Sequence, residues 1–132
     1  MSETYLSGMD TEEGRRALAE VVLAMFRHWG VEPSQQAELL GMEEVDSLWQ
    51  GAALPNKTSV LERAGQLLAI DRQLAKKYAD QPLMRERWVS FPNIWLKGRS
   101  PLEKMLEGIE GIGEVRALID QMSPPEEPTT AH

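Results

Sequence analysis

The sequence predicts an all-α fold, a compact arrangement of seven or eight helices in which one long central helix joins an N-terminal group to a C-terminal one. Three observations carry this expectation. Apolar residues recur at three- and four-residue spacing in segment after segment, the period of helices with one buried face. No segment alternates apolar and polar residues as a half-buried strand does. Helix start and stop signals punctuate the chain between the periodic segments.

The first helix opens at Asp10-Thr11-Glu12-Glu13, a capping-box pattern with acids in the first turn, where they complement the helix dipole. Ala17, Leu18, Val21, Val22, Met25, Phe26 and Trp29 then make one apolar face, and Gly30 ends it. His28 lies in the last turn, where a solvated or capping role fits its position better than a ligand role. Glu32-Pro33-Ser34 starts a second helix that buries Ala37, Leu39 and Leu40 and stops at Gly41. A third, short helix is expected over residues 43–51, packing through Val45, Leu48 and Trp49.

The fourth and longest helix is expected over residues 57–79, with Ser59 and Glu62 as a capping box. Val60, Leu61, Ala64, Leu67, Leu68, Leu74, Ala75 and Tyr78 keep the helical period, and Asp71 interrupts it. Pro82 sits early in a short fifth helix that runs through Trp88. An aromatic connector follows, from Trp88 and Phe91 to Trp95. Aromatic rings in an irregular connector are costly to leave in water, so each is either core or a binding face.

Gly98 supplies a turn, and Ser100-Pro101-Leu102-Glu103 is a full start signal. The Ser100 hydroxyl can accept from the amide of residue 103, Glu103 can reach back to the Ser100 amide, and proline at the first helical position gives up no hydrogen bond. This helix runs to about Glu107 with Leu102, Met105 and Leu106 inward, and Gly108 stops it. Residues 109–113 are expected to be a glycine-punctuated turn. Their Gly-x-Gly is weak evidence of phosphate binding, because no strand precedes it and Glu110 and Glu114 flank it. Val115, Leu118, Ile119 and Met122 form the face of a last helix, and the Pro- and Glu-rich residues 123–132 cannot bury a core.

Composition excludes several classes of function. With no cysteine among 132 residues and only His28 and His132 as imidazoles, there is no disulfide framework, no thiolate site, no plausible zinc set and no histidine acid–base pair. Neither an enzyme nor a bound cofactor is therefore expected. No apolar run approaches the roughly 20 residues of a membrane span, and the start lacks the features of a signal peptide, so no membrane association and a cytoplasmic location are expected. The net charge is −7, but residues 57–99 hold nine basic and four acidic residues between two acidic flanks. Such a basic island suits an acidic partner, nucleic acid or the chain's own acidic ends.

The first three helices, with a glycine turn before the third and Trp49-Gln50-Gly51 after it, resemble a helix-turn-helix of the Xre or Cro-like repressor kind. In that arrangement Ser47, Gln50 and Lys57 would face DNA. The third segment carries Glu43, Glu44 and Asp46 and no Lys or Arg, so phosphate would meet repulsion there. Farther on, Trp95-Leu96, then Gly98 with Ser100-Pro101-Leu102, a glycine turn, and Val115-Arg116 with Leu118 resemble the toxin-binding domain of the Xre/MbcA/ParS antitoxins. That resemblance divides the chain into a helix-turn-helix-like region (1–56), a linking helix (57–79), a toxin-binding region (80–122) and a flexible tail (123–132).

The resemblance implies an antitoxin of a type II toxin–antitoxin pair. Such proteins are usually homodimers that bind a RES-domain toxin, an enzyme that consumes NAD or transfers ADP-ribose from it, and occlude its NAD cleft. Trp95, Lys97, Arg99, Ser100, Pro101 and His132 are the residues placed near the toxin, with binding resting chiefly on the C-terminal half. The alternative that the resemblance leaves open is an autorepressor that binds its own promoter DNA.

Overall fold

The computed structural model describes residues 11–122; Asp10, the tail over 123–132 and His132 lie outside the described residues. Among them are seven α-helices and no strand: α1 (Glu12–Trp29), α2 (Pro33–Leu40), α3 (Asp46–Trp49), α4 (Thr58–Lys77), α5 (Pro82–Arg87), α6 (Pro101–Met105) and α7 (Ile109–Gln121), with 3₁₀ turns at Trp88–Ser90 and Ile94–Leu96. The all-α expectation holds.

A single apolar core runs from Leu18 in α1 to Ile119 in α7. The centre of the fold is α4, an unbroken helix of 20 residues whose most extensive contacts are with α7; α1, α2 and α5 also pack on it. Along α4, Val60, Leu61, Ala64, Leu67, Ile70, Leu74 and the following Tyr78 are buried. Phe26 and Trp29 of α1 meet edge to face at 6.5 Å. The 50–57 connector is held down on α1: Leu54 is buried, the Arg15 guanidinium donates to its carbonyl at 3.0 Å, and Arg16 donates to the Gly51 carbonyl at 3.1 Å.

Several elements differ from expectation. The described cap of α1 is Thr11, whose hydroxyl accepts from the Gly14 amide at 3.0 Å. The buried face of α1 is rotated: Ala19 and Leu23 are buried, whereas Ala17 and Val21 are exposed, because the helix is covered by α3, α4 and α5 on a side that spacing alone does not select. The third helix is a single turn. Glu43 and Glu44 lie in the connector before it, and the Glu44 carboxylate accepts from the Ser47 amide at 3.1 Å, which starts the turn late. Trp49 is partly exposed there.

The capping box expected at Ser59 and Glu62 is absent. The helix starts two residues earlier than a Ser59 cap would place it, with Lys57 as a cap that makes no side-chain hydrogen bond. Asp71, the polar residue on the apolar face of α4, is satisfied there: its carboxylate accepts from the Trp29 indole at 3.3 Å and lies 3.5 Å from Arg85, so it joins α1, α4 and α5. Leu68 and Ala75 are only partly buried.

The largest correction concerns residues 109–113, which are the first turns of α7 and not a connector. The turn comes earlier, at residues 106–108. Gly111 is buried against α6: a Cβ there would lie 2.0 Å from the Lys104 carbonyl oxygen. Glycine is required because two backbones meet, and the Gly-x-Gly spacing has no bearing on phosphate.

Candidate functional site

The connector between α5 and α6 sorts its aromatics. Trp88 and Val89 are in the core, Trp88 only 4% exposed, whereas Phe91, Ile94 and Trp95 are 44%, 81% and 71% exposed. Three large apolar side chains in water within five residues form the kind of surface that marks an interaction site.

Their exposure does not come from a loose loop. Asn93 organises the segment: its side-chain oxygen accepts from the Trp95 amide at 2.8 Å, its carbonyl accepts from Leu96 and Gly98 at 2.9 Å each, and its amide donates to the Arg99 carbonyl at 3.0 Å. The bonds from Lys97 to the Ile94 carbonyl and from Arg99 to the Leu96 carbonyl, both at 3.2 Å, complete a closed hairpin-like turn. Lys97 and Gly98 are both left-handed, with φ of 60° and 85°. Glycine accepts that conformation freely; for lysine it costs about 1 kcal/mol, a strain that concentrates at functional positions.

The C-terminal end of the turn is anchored on α6 and α7. The capping box forms as expected, with the Glu103 amide donating to the Ser100 hydroxyl at 3.1 Å and the Ser100 amide donating to the Glu103 carboxylate at 2.9 Å. Arg99 pairs with Glu107, which also lies 3.3 Å from Lys104, and Lys104 reaches Glu114 at 3.1 Å. Arg99 and Lys104 beside Glu107 hold its carboxyl below the usual carboxylate range, and the Glu114 and Glu107 carboxylates raise the Lys104 ammonium.

Two shallow grooves flank the exposed pair, and Trp95 and Met122 border both. The first, of about 280 Å³, is walled by Tyr78, Met84, Trp88 and Phe91; the second, of about 430 Å³, by Leu118 and Gln121. The site is thus an apolar ridge between two apolar recesses, with Lys97 beside it. Lys97 makes no ion pair among the described residues.

The residues singled out from the sequence therefore fall into distinct roles. Trp95 and Lys97 are on the surface. Arg99 is exposed but already paired within the chain. Ser100 and Pro101 are buried, so they hold the ridge from behind and do not present it. His132 lies outside the described residues. Phe91 was marked only as one of the connector's aromatics, and Ile94 and Asn93 were not singled out, although Pro92-Asn93 is a readable signal: an asparagine side chain commonly bonds its own backbone two residues on.

In the N-terminal half, Ser47 is half-buried and occupied by Glu44, while Gln50 and Lys57 are exposed at opposite ends of the connector that follows α3. Trp49 is held by its indole N–H donating to the buried Gln36 at 3.0 Å and by the Arg27 guanidinium 5.1 Å over its ring. These contacts fix α3 as part of the fold. No helix among the described residues is long and apolar enough to cross a membrane, and none of their acidic or imidazole side chains cluster as a metal set.

No protein-family model matches the chain, and no match is found among curated proteins.

Proposed function

We propose that this chain is an antitoxin that binds a RES-domain toxin through the Trp95 ridge and so blocks access to the toxin's NAD cleft. The observation that carries the reading is the pairing of an exposed Ile94–Trp95 ridge with a backbone closed on itself by hydrogen bonds. A pre-formed turn gives up little conformational entropy on docking, and a rigid tryptophan projecting from one is the usual anchor of a protein interface. The resemblance of residues 95–118 to the toxin-binding domain of Xre/MbcA/ParS antitoxins names the partner. Lys97 suits an acidic rim around the receiving pocket.

As the resemblance implies, this binding protein would act in the cytoplasm as a homodimer and without a cofactor. Promoter binding through Ser47, Gln50 and Lys57 is less well supported, since α3 is one turn long and the residues leading into it are acidic.

The test uses the full chain and the RES-domain protein encoded beside it. Calorimetry should detect binding, and Trp95→Ala should weaken it at least a hundredfold, the scale of an interface anchor, without changing the fold. If Trp95→Ala binds as well as the parent while substitutions in α2 or α3 abolish binding, the interface is elsewhere. A gel shift with the upstream DNA tests the autorepressor reading.

A further inference from the structure

Helices α4 and α7 pack extensively on each other. Arg116 in the middle of α7 donates to Gln66 in the middle of α4 at 3.0 Å, and the last residues of both helices meet at Lys77. The end of α7 carries the negative pole of its dipole, where a cation is favoured. The last turn of α7 contains no basic residue. Its C-cap, Met122, is extended, with φ −70° and ψ 139°, so no left-handed residue folds back over the final carbonyls.

Lys77 supplies what α7 lacks. Its ammonium donates to the carbonyl oxygen of Ile119 at 2.6 Å and of Asp120 at 3.2 Å, and also to that of Met122. An ammonium has three protons to give and no acceptor to satisfy, so three carbonyls at one helix end match its capacity.

We infer that Lys77 is the positioning residue of the Trp95 ridge. By clamping the last turn of α7, it holds Leu118 and Met122 as the walls of the recesses on either side of Trp95. Without the clamp the last turn frays, the walls move, and the ridge keeps its tryptophan but loses the shape around it. The part of the inference that concerns affinity rests on the toxin-binding reading; the part that concerns the ridge does not.

The test compares Lys77→Met and Lys77→Arg with the parent, all as full chains. Hydrogen exchange by NMR reads the amides of residues 119–122, and 5-fluorotryptophan labelling reads Trp95, whose fluorine signal is assigned with Trp95→Phe. In Lys77→Met these amides should exchange about tenfold faster or more, the scale of losing charge-assisted hydrogen bonds, and the Trp95 signal should shift. Lys77→Arg, which keeps charge and donors, should restore both. Should Lys77→Met not fold, Lys77→Gln, which removes the charge but keeps two amide N–H donors, gives the same two readouts.

Affinity for the RES-domain toxin should fall about tenfold in Lys77→Met and recover in Lys77→Arg, following the change in shape of the ridge. A folded variant with unchanged amides and an unchanged Trp95 signal overturns the inference. So does a frayed variant that binds toxin as the parent does. If the parent itself binds no toxin, the proposed function fails, and Lys77 is judged by the amide and fluorine signals alone.

Discussion

Replacing Gly111 with alanine sets local helix preference against tertiary packing with opposite signs. Gly111 lies inside α7, where alanine is favoured over glycine by about 1 kcal/mol. The added Cβ would stand 2.0 Å from the Lys104 carbonyl oxygen and 3.0 Å from its carbon. Ordinary contact needs roughly 3.4 Å, so α6 and α7 must separate by more than an ångström across a buried seam where Met105 and Ile112 have no exposure. Forcing extra volume into such a seam costs about 3 kcal/mol or more. The net effect is a destabilisation of about 2 kcal/mol, or roughly 8 °C in Tm for a domain of this size.

Gly113 is the control. It occupies the same helix, and a Cβ there meets nothing within 4 Å, so Gly113→Ala should stabilise by about 0.5–1 kcal/mol. Urea unfolding followed by circular dichroism, with the two variants and the parent in parallel, measures both. If Gly111→Ala is as stable as Gly113→Ala, the α6–α7 backbone contact is wrong, and with it the placement of Ser100 and the Trp95 turn that α6 supports.

Replacing Ser100 and Glu103 together with alanine should cost about 1–2 kcal/mol, the scale of a lost cap; an unchanged thermal midpoint would mean that the capping box does not hold the turn. Gln36→Leu removes the acceptor of the Trp49 indole and the donor to the Val31 carbonyl at 2.8 Å, so it should destabilise by about 1–3 kcal/mol and change the Trp49 emission, which fluorescence-monitored unfolding reads directly. The Arg99–Glu107–Lys104 network gives a pH dependence of defined sign. Because the Glu107 carboxyl is depressed in the folded chain, its contribution is present above the ordinary carboxylate value and is lost as pH falls through the lower, folded value; the raised Lys104 contributes below the ordinary lysine value and is lost as pH rises through the higher one. Amide shifts of the Trp95 turn should therefore stay constant through neutral pH and move only in acid or strong alkali, and a transition near pH 7 would contradict this network.

Much of the candidate site was legible in outline. The connector was recognisable because aromatics were crowded between two helices, and its anchor because Ser100-Pro101-Leu102-Glu103 states its own geometry: every bond in a capping box joins residues three apart, so the sequence contains both partners side by side. What could not be read was which aromatic faces water. Trp88 and Trp95 are the same residue seven positions apart in the same connector, yet one is core and the other is the ridge, because Val89 and Trp88 fall on the 3₁₀ turn that packs against α6 while Asn93 turns the next residues outward.

The sequence by itself determined the all-α class, the long central helix, the helix ends at Gly30 and Gly41 and the start at Ser100, since periodicity and caps are decided within four or five residues of chain. Only the tertiary structure decided the rotation of α1, the shortness of α3, the inclusion of Gly111 in α7 and the clamp of Lys77 on the end of α7. Each of these depends on groups far apart in the chain, as with Lys77 and the Ile119 carbonyl, 42 residues on, and burial and hydrogen bonding across such separations are settled by how the helices pack and not by the residues that flank them.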